Sequence, residues 1–573
     1  MTGICAATGA RGASATHSPR SKRAAHPFGT GNSLTLPTPS RDKVGSFRSC
    51  GRRRFRSRAL LSALALLVLG GCDALARIGP LGSDAESPYA AIIPQPRLTE
   101  RARDGGHFEL SEATVIHLAD PELEPAAELL ATTLRRSTGF ALPVRPAADA
   151  PAGGIYFRRS SRSDPGEEGY ALQVTPSRIT VEAATVVGAV WGAQTLRQLF
   201  PAHVERREPQ PGRWRVPAGE VVDSPRYPWR GAMLDVARHF STVAEVERFI
   251  DVLSYYKMNR LHLHLTDDQG WRLMIESWPK LALHGGSLAV GGAPGGFYTQ
   301  AEYRRLVRYA EARGVTIVPE IEMPGHSHAA IASYPELGCL SDPPPLYTGI
   351  AVGFSAFCFR TDTIWTFVED VIAEVAALTP GEYIHIGGDE TYVVLEEHYQ
   401  MFVPRVEGII AAHGKRLIGW EEIGRTEVGP DAVVQFWDRP QRLQLAVDRG
   451  LEIIMSPSKH AYLDSKYNPR TPIGRTWTSE FLDVRKAYEW DPAELAPAGA
   501  RVIGVEGPLW TETVREYREV EYLALPRLIG LAEIGWTQPT RSWESYRIRL
   551  GRHGRRLDAM GINYYRAPEV PWR

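Results

Sequence analysis

Cysteine is scarce in this sequence, with five among 573 residues. None forms a Cys-x-x-Cys pair or stands at the Cys/His spacing of a structural zinc module, so a disulfide-rich scaffold and a zinc ribbon are excluded. Glycine-rich phosphate loops are also missing, because no such loop opens any of the predicted helices. Nucleotide binding of the dinucleotide or P-loop kind is therefore not indicated.

The amino-terminal apolar run at 59–71 has thirteen apolar or small residues, too few for a stable membrane-spanning helix. A basic stretch precedes it and Cys72 follows it, an order typical of an export signal. The ending Leu69-Gly70-Gly71-Cys72 resembles a bacterial lipobox, which predicts lipidation of Cys72 and tethering to a membrane.

Residues 1–72 are thus expected to be an export signal with a lipobox, in which 1–43 lie upstream of a true start at Val44. The mature protein is expected on the periplasmic or cell-surface side as a membrane-anchored lipoprotein. An ordinary signal peptide that is cut nearby is the alternative. Which membrane holds the protein stays open.

Positive charge is concentrated at the amino terminus, and the rest of the chain carries an excess of negative charge. Residues 1–58 hold twelve Lys/Arg and one acid, which leaves 54 bases against 65 acids in 59–573. A folded part of that sign lacks the basic face that nucleic-acid binding needs, so no nucleic-acid partner is expected. The 43% hydrophobic and 23% charged residues are typical of a soluble globular protein.

Two regions with different periodicity predict an α/β protein in which a (β/α)8 TIM barrel follows a smaller α+β domain. The predicted α+β domain covers 89–218, with helices over 126–137 and 184–200. The predicted barrel covers 224–573, where short apolar strands alternate with amphipathic helices. Its eight strands are expected at 231–236, 261–265, 315–321, 383–386, 416–420, 433–437, 451–455 and 502–505. One helix over 517–531 is expected to pack on the barrel.

Polar residues follow the predicted strands at their carboxyl ends, where barrels of this kind carry their active sites. The sharpest group is His385-Ile386-Gly387-Gly388-Asp389-Glu390. Strand alternation turns His385 inward, and two glycines free the backbone so that both acids reach the cavity. Neighbouring carboxylates push their pKa values apart, which suits one for acid catalysis. Tryptophans at other strand ends suit the apolar face of a sugar.

These residues resemble the family 20 glycoside hydrolases, the β-N-acetylhexosaminidases, in a bacterial lipoprotein form. The similarity runs in order over about 90–570, from the Ile-Ile-Pro-Gln-Pro segment of the first domain to Ala532-Glu533-x-x-Trp536. The motifs that carry it are Arg230-Gly-x-Met-Leu-Asp235-x-x-Arg238-His239, His262-x-His264-Leu-Thr-Asp267-Asp268, Pro319-Glu320-x-x-x-Pro324-Gly325-His326, the Asp389-Glu390 segment and Tyr462-x-Asp464.

The resemblance implies exo-acting, retaining hydrolysis in which the 2-acetamido group of the substrate is the nucleophile and an oxazolinium ion is the intermediate. Glu390 is then the acid/base and Asp389 holds the acetamido N–H. The other implied substrate-binding residues are Arg230 for the 3- and 4-hydroxyls, Tyr462 for the acetamido oxygen, Asp464 and Glu512 for the 4- and 6-hydroxyls, Trp420, Trp437 and Trp510 for the cage, and His326 and Asp268. The resemblance further implies that His385 and His264 hold these substrate-binding side chains in place without contacting the substrate.

Glycans that end in GlcNAc or GalNAc, or chitooligosaccharides, are the expected partner, and no cofactor and no metal are expected. The oligomeric state, monomer or homodimer, stays open. Cys339 and Cys358, nineteen residues apart in one loop, are candidates for a disulfide in an oxidising compartment.

Two other interpretations remain. A metal-dependent barrel hydrolase would use His262, His264, His326, His328, His385 and Asp389 as ligands, but it has no use for the tryptophans. A sugar-binding lipoprotein without catalysis would keep the tryptophans and has no need of the acid pair.

Overall fold

The computed structural model describes residues 87–103, 105–149, 151–160, 166–476 and 478–573. The predicted export signal and Cys72 lie outside these residues. None of the helices in the described part is both long and apolar enough to cross a membrane.

The first domain is a seven-stranded mixed sheet covered by two helices, with a separate two-stranded ribbon. The sheet has the order β1-β9-β6-β7-β5-β3-β4 and the ribbon pairs β2 with β8. The strands are β1 Leu98–Arg101, β2 His107–Leu110, β3 Ile116–Leu118, β4 Val144–Pro146, β5 Ile155–Arg159, β6 Tyr170–Thr175, β7 Arg178–Ala183, β8 Trp214–Pro217 and β9 Gly219–Asp223, and the helices are α1 Glu124–Thr138 and α2 Val186–Leu199. Because β9 pairs with both β1 and β6, the sheet continues to Asp223, past the boundary predicted at 218.

The second domain is a closed barrel of eight parallel strands, as predicted. The barrel strands are β10 Trp229–Asp235, β11 Arg260–His264, β14 Thr316–Glu320, β15 Tyr383–His385, β16 Arg416–Trp420, β17 Val433–Phe436, β18 Glu452–Met455 and β19 Arg501–Leu509, and a short hairpin, β12 Thr266–Asp267 with β13 Gly270–Trp271, follows β11. Each barrel strand overlaps a predicted strand.

The helices around the barrel carry the capping signals that the sequence shows. Thr242 and Thr299 each form a complete capping box with the Glu three residues later. The helices are α3 Val243–Tyr255, α4 Lys280–Leu283, α5 Gln300–Glu311, α6 His328–Ser333, α7 Thr363–Leu378, α8 Glu396–Ala412, α9 Pro440–Asp448, α10 Ser458–Ala461, α11 Val484–Tyr488, α12 Pro492–Leu495, α13 Tyr517–Ala524, α14 Arg527–Trp536 and α15 Trp543–Met560. The single helix predicted over 517–531 is wrong: Pro526, which has no N–H and restricts Leu525, separates α13 from α14.

The barrel interior is filled in three layers. An apolar layer near the amino ends of the strands contains Trp229, Val318, Tyr383, Ile418, Val433 and Ile454. The ionisable side chains of His262, Glu320, His385 and Glu506 meet above it. Aromatic side chains close the layer beneath the carboxyl ends: Trp420, Tyr462 and Trp510, with Met233. The interior is therefore a packed core that opens only at one end.

Buried polar contacts join the two domains. Lys257, which precedes β11, lies 3.0 Å from Asp223 of β9, and Trp536 of α14 donates its indole N–H to the same carboxylate. Glu168 of the first domain pairs with Arg230 of β10. Lys257, Asp223 and Arg230 are buried and Glu168 is half-buried, so the junction depends on the pairing of these charges.

Candidate active site

A cavity of about 260 Å³ opens at the carboxyl ends of the barrel strands. Its walls are formed by Arg238, His326, Val352, Asp389, Glu390, Trp420, Trp437, Asp438, Ser458, Tyr462, Thr478, Trp510 and Glu512. The predicted acid pair, His326, the three tryptophans, Tyr462 and Glu512 thus meet at one place, whereas Asp464 is not among the lining residues. Val352, Asp438, Ser458 and Thr478 come from loops without a recognisable motif, so the sequence offered no signal for them.

The acid pair stands on a strained turn after β15. Gly387 and Gly388 have positive φ, and a Cβ at Gly387 would overlap the carboxylate of Glu322. Glu390 itself has φ 43°, a conformation that costs a non-glycine residue of order 1–3 kcal/mol. The turn presents both acids to the cavity, with the Asp389 side chain 13% and the Glu390 side chain 22% exposed.

Asp389 shares a hydrogen bond with Glu322, the buried carboxyl that follows β14. Burial, with Asp389 and Glu320 nearby, raises the pKa of Glu322 well above its usual range. Burial also raises the pKa of Asp389 to about 7 against the opposing effect of His326. The surroundings of this pair therefore disfavour the ionised form of both carboxyls. The sequence alone assigned Glu322 no role.

His326 connects the acid pair to a buried aspartate. Its Nδ1 lies 3.3 Å from Asp267 Oδ1, and its Nε2 lies 3.6 Å from Glu390 Oε2 and 4.0 Å from Asp389 Oδ2. Burial opposes the charged form, but Asp267 and Asp389 outweigh burial and raise the pKa of His326 well above its usual range. A cationic imidazole thus stands beside Glu390.

Three tryptophans and a tyrosine form an aromatic cage next to the acids. Trp420 and Trp510 have ring centroids 5.9 Å apart, and Tyr462 stacks on Trp437 at 6.5 Å. Trp420 donates its N–H to Glu320, while Trp437 donates to Glu422 at 3.3 Å. Burial, Asp464 and Asp389 raise the pKa of Tyr462 well above its usual range, so its hydroxyl remains a neutral donor. Asp464 is itself buried, two residues after Tyr462.

The prediction that Arg230 binds the substrate is wrong. Arg230 is the second residue of β10, at the opposite end of the barrel from the cavity, and its side chain is fully buried against Glu168 at 2.5 Å and the carbonyl of Tyr227 at 2.7 Å. The cavity arginine is Arg238, which follows the carboxyl end of the same strand. The direction of β10 distinguishes the two arginines, because only residues near or after the carboxyl end of the strand can reach the cavity.

Arg238 is fixed in the cavity wall by two carboxylates and an indole. It lies 2.7 Å from Asp267 and 3.2 Å from Asp235, and its guanidinium lies over the Trp510 ring at 4.9 Å. Burial opposes its charge, but the two aspartates raise its pKa well above the usual range. Burial, with Asp235, raises the pKa of the neighbouring Glu512, and Arg238 offsets this only in part.

Asp268 is not part of the cavity wall, which corrects its predicted contact with substrate. It accepts hydrogen bonds from the Ser355 hydroxyl and from the backbone N–H of His328. This position follows from its neighbour Asp267, which takes the inner side of the turn toward His264 and His326. Ser355 belongs to the loop in which the structure joins Cys339 and Cys358 in a disulfide.

His264 and His385 lie beneath the cavity and do not line it. Both contact Glu320, and His262 completes the group at 3.0 Å. Burial opposes protonation, but carboxylates raise the pKa of His262 to about 9 and that of His264 to about 10. Burial lowers the pKa of His385. These three side chains contact carboxylates beneath the cavity rather than line it.

Comparisons with known proteins agree with this geometry. Residues 227–539 match the family model of the glycosyl hydrolase family 20 catalytic domain, and residues 89–224 match domain 2 of that family. The beta-N-acetylhexosaminidase of Cellulomonas fimi is 39% identical over 492 residues, 85% of this chain and 98% of that protein. The solved GH20 beta-N-acetylhexosaminidase of Streptomyces coelicolor A3(2) superposes with a TM-score of 0.81 and 44% identity, over 85% of this chain and 99% of that one.

A mutant Streptomyces plicatus beta-hexosaminidase in complex with its product GlcNAc gives the same TM-score, 0.81, at 44% identity, over 85% of this chain and 98% of that one.

Proposed function

The chain belongs to glycoside hydrolase family 20 and is an exo-acting β-N-acetylhexosaminidase, and we propose that it releases terminal GlcNAc or GalNAc by substrate-assisted catalysis in the cavity described above. The observation that carries the mechanism is the placement of Asp389 and Glu390 side by side next to the cage of Trp420, Trp437, Tyr462 and Trp510. An acetamido group in that cage has an acceptor for its N–H, a donor for its oxygen and an apolar enclosure for its methyl group.

In the first step Glu390 gives its proton to the glycosidic oxygen while the acetamido oxygen bonds to the anomeric carbon. The C1–O bond to the leaving group breaks, and the positive charge passes to the oxazolinium ring. Asp389 accepts the acetamido N–H and stabilises this charge as it develops, and Tyr462 donates to the acetamido oxygen to orient it. The tryptophans exclude water from the ring.

In the second step a water molecule attacks the anomeric carbon and Glu390 takes its proton. The bond to the acetamido oxygen breaks, so the amide is restored and the configuration at the anomeric carbon is retained. Protonated His326, between Asp267 and Glu390, stabilises Glu390 as the carboxylate that receives this proton. Glu322, which hydrogen-bonds Asp389, holds that carboxyl in place.

Sugar hydroxyls are held on the opposite wall. Arg238 and Glu512 line the cavity there, and we assign them to the hydroxyls of the terminal sugar, with Asp464 near Tyr462. Arg238 takes the role first predicted for Arg230. Charged groups that grip these hydroxyls bind the non-reducing end, which fits exo cleavage.

We also propose that the enzyme is exported and tethered to a membrane through lipid on Cys72. The basic stretch, the short apolar run and the Leu-Gly-Gly-Cys ending of the sequence support this. Mass spectrometry of the membrane fraction, comparing the native chain with Cys72→Ala, would show a diacylated amino-terminal peptide only in the former.

The test of the function is hydrolysis of aryl β-GlcNAc and β-GalNAc by the protein from Asp73 onward, with and without excess EDTA and with an N-acetylglucosamine-thiazoline inhibitor. We expect activity that EDTA leaves unchanged and the thiazoline blocks, and the ratio of the two sugars gives the preference at the 4-hydroxyl. Loss of activity to EDTA would instead support the metal-dependent hydrolase. Sugar binding without hydrolysis would support the sugar-binding lipoprotein.

A further inference from the structure

We propose that Tyr392 and Asp438 form a subsite for the leaving-group sugar, at the rim of the cavity that holds the terminal N-acetylhexosamine. This inference rests on the proposed function, and it makes the preferred substrate an oligosaccharide whose second sugar is a pyranose. Because Glu390 protonates the glycosidic oxygen, the leaving group must lie beside Glu390. Two side chains in that direction have the chemistry to hold a sugar.

Tyr392 lies at the rim of the cavity on the side of Glu390. It follows Glu390 by two residues, and its backbone N–H donates to the Glu390 carbonyl at 2.7 Å. Its ring packs against Gly353, where a Cβ would come within 2.3 Å of Tyr392 Cδ2. Since the preceding residue, Val352, lines the cavity, the ring borders the cavity wall. Tyr392 is 65% exposed, so most of its surface is open to a ligand.

The charges that act on the Tyr392 phenol show which other segment lies nearby. Burial of part of the ring and the charge of Glu390 raise its pKa, and Arg439 opposes them. Arg439 directly follows Trp437 and Asp438, both of which line the cavity. Tyr392 is therefore within electrostatic range of the acid and also of this second part of the cavity wall.

Asp438 supplies a hydrogen-bond acceptor in that second segment. Its side chain is 41% exposed and lies 4.0 Å from the Nε of Arg439. The buried Glu421 fixes the backbone here. Its carboxylate accepts the N–H groups of Trp437, Asp438 and Arg439 at 3.1, 2.9 and 2.9 Å. The position of Asp438 is thus set before a ligand arrives, which lowers the cost of binding.

The loop that supports the aromatic ring is fixed as well. The disulfide between Cys339 and Cys358 closes this loop around Gly353. The Ser355 hydroxyl donates to Asp268, which ties the loop to the turn that follows β11. Because its support is held at both places, the ring is a preformed surface for a ligand.

An exposed aromatic ring near a carboxylate has the chemistry to bind a sugar. Tyr392 offers an apolar face and a hydroxyl, which match the CH groups and the hydroxyls of a pyranose. Asp438 accepts hydrogen bonds from hydroxyls at the edge of the same sugar. A leaving group as small as a methyl group would reach neither side chain.

The test compares two glycosides that share the terminal sugar and differ in the leaving group. N,N′-Diacetylchitobiose places a GlcNAc in the proposed subsite, whereas methyl β-GlcNAc leaves it empty. Both leaving groups are alcohols, so both need the proton of Glu390. Initial rates give the ratio of kcat/KM on the two substrates for the native enzyme and for Tyr392→Ala, Tyr392→Phe, Asp438→Asn and the control Leu395→Ala. Leu395 is 59% exposed in the same segment and lies outside the cavity walls.

We expect Tyr392→Ala to lower the ratio of chitobiose to methyl glycoside about 3- to 10-fold, the size of one stacking contact. Asp438→Asn should lower the same ratio. Tyr392→Phe, which keeps the ring, should retain most of it, and Leu395→Ala should leave it unchanged. A general disturbance of the acid turn would slow both substrates together. An unchanged ratio in Tyr392→Ala or Asp438→Asn, or an equal fall in Leu395→Ala, would overturn the proposal.

The same measurements separate this inference from the function on which it rests. Native enzyme that hydrolysed neither glycoside would refute the hexosaminidase function together with the subsite. Native activity on both glycosides, with a ratio that the substitutions leave unchanged, would refute the subsite alone.

Discussion

Arg230 and Arg238 stand eight residues apart toward opposite ends of β10, and both are buried beside carboxylates. Arg230, near the amino end of the strand, binds Glu168 and joins two domains. Arg238, past the carboxyl end, lies over Trp510 in the wall of the active site. An arginine thus stabilises the domain junction at one end of the barrel and lines the active site at the other. Strand direction determines which end faces the cavity.

The interior of the barrel shows the same division. Apolar side chains fill the end near Arg230, whereas histidines and carboxylates support the aromatic cage near Arg238. A perturbation at the first end should therefore appear in stability, and one at the second end in catalysis.

The largest expected effect tests the catalytic end alone. Glu390→Gln should lower kcat about 10²–10⁴-fold on substrates with a poor leaving group, because the general acid is lost, and less on aryl glycosides with a good one. Its thermal midpoint should remain that of the native enzyme. Steady-state kinetics on both substrate classes, with a thermal melt, measure this. Near-normal turnover of the poor-leaving-group substrate would end the assignment of Glu390 as the acid.

A matched pair of substitutions compares the two ends directly. Arg238→Lys keeps a cation for Asp235 and Asp267 but loses the planar guanidinium that donates two parallel hydrogen bonds to the sugar. We expect kcat/KM to fall about 10- to 150-fold, which corresponds to about 1.5–3 kcal/mol. Arg230→Lys should leave kcat/KM nearly unchanged and lower the free energy of unfolding by a similar amount. Kinetics and urea unfolding of both variants provide the comparison. If the two variants showed the same pattern, the division between the ends would be wrong.

The last comparison concerns pH, at about 1.4 kcal/mol per pH unit for each histidine over the range in which its titration differs between the folded and unfolded states. His262 and His264 have folded pKa values raised to about 9 and about 10, so their contribution is full below the ordinary value of 6.5 and is lost as pH rises toward 9 and 10. His553, which contacts Tyr256 and the Ala91 carbonyl, has its pKa lowered to about 3 by burial and by Arg556. Its contribution is full above 6.5 and is lost as pH falls toward 3.

Stability from these three groups should therefore be greatest near pH 6.5. Urea unfolding from pH 4 to 10 measures it, with His553→Gln as the control. That variant should flatten the acidic side of the profile and leave the alkaline side as it is. A profile whose acidic side kept its slope in the variant would refute the role given to His553.

The sequence predicted the barrel well because its information is local. The apolar strands, the capping boxes at Thr242 and Thr299, and the Gly387-Gly388 turn each depend on a few neighbouring residues. The acid pair and the tryptophans could be placed at the cavity because each follows a strand. What the sequence could not supply was contact between distant segments.

Arg230 illustrates that limit. Its partner Glu168 lies 62 residues earlier in another domain, and the local sequence pattern of β10 does not predict this ion pair. Glu322 is a similar case, since its hydrogen bond with Asp389 crosses two strands. Asp268 was misassigned because two adjacent aspartates leave a turn in different directions, and only the folded turn shows which of them faces His326.

The domain junction has a consequence for how the molecule comes apart. Separating the first domain from the barrel would leave Lys257 without Asp223 and Arg230 without Glu168, both of them cations taken out of water. Removing one partner of a buried pair costs about 3–5 kcal/mol, a large part of what holds a typical domain folded. We therefore expect the two domains to unfold together in a single transition, and a barrel cut free at residue 224 to be unstable because both cations would lack their partners.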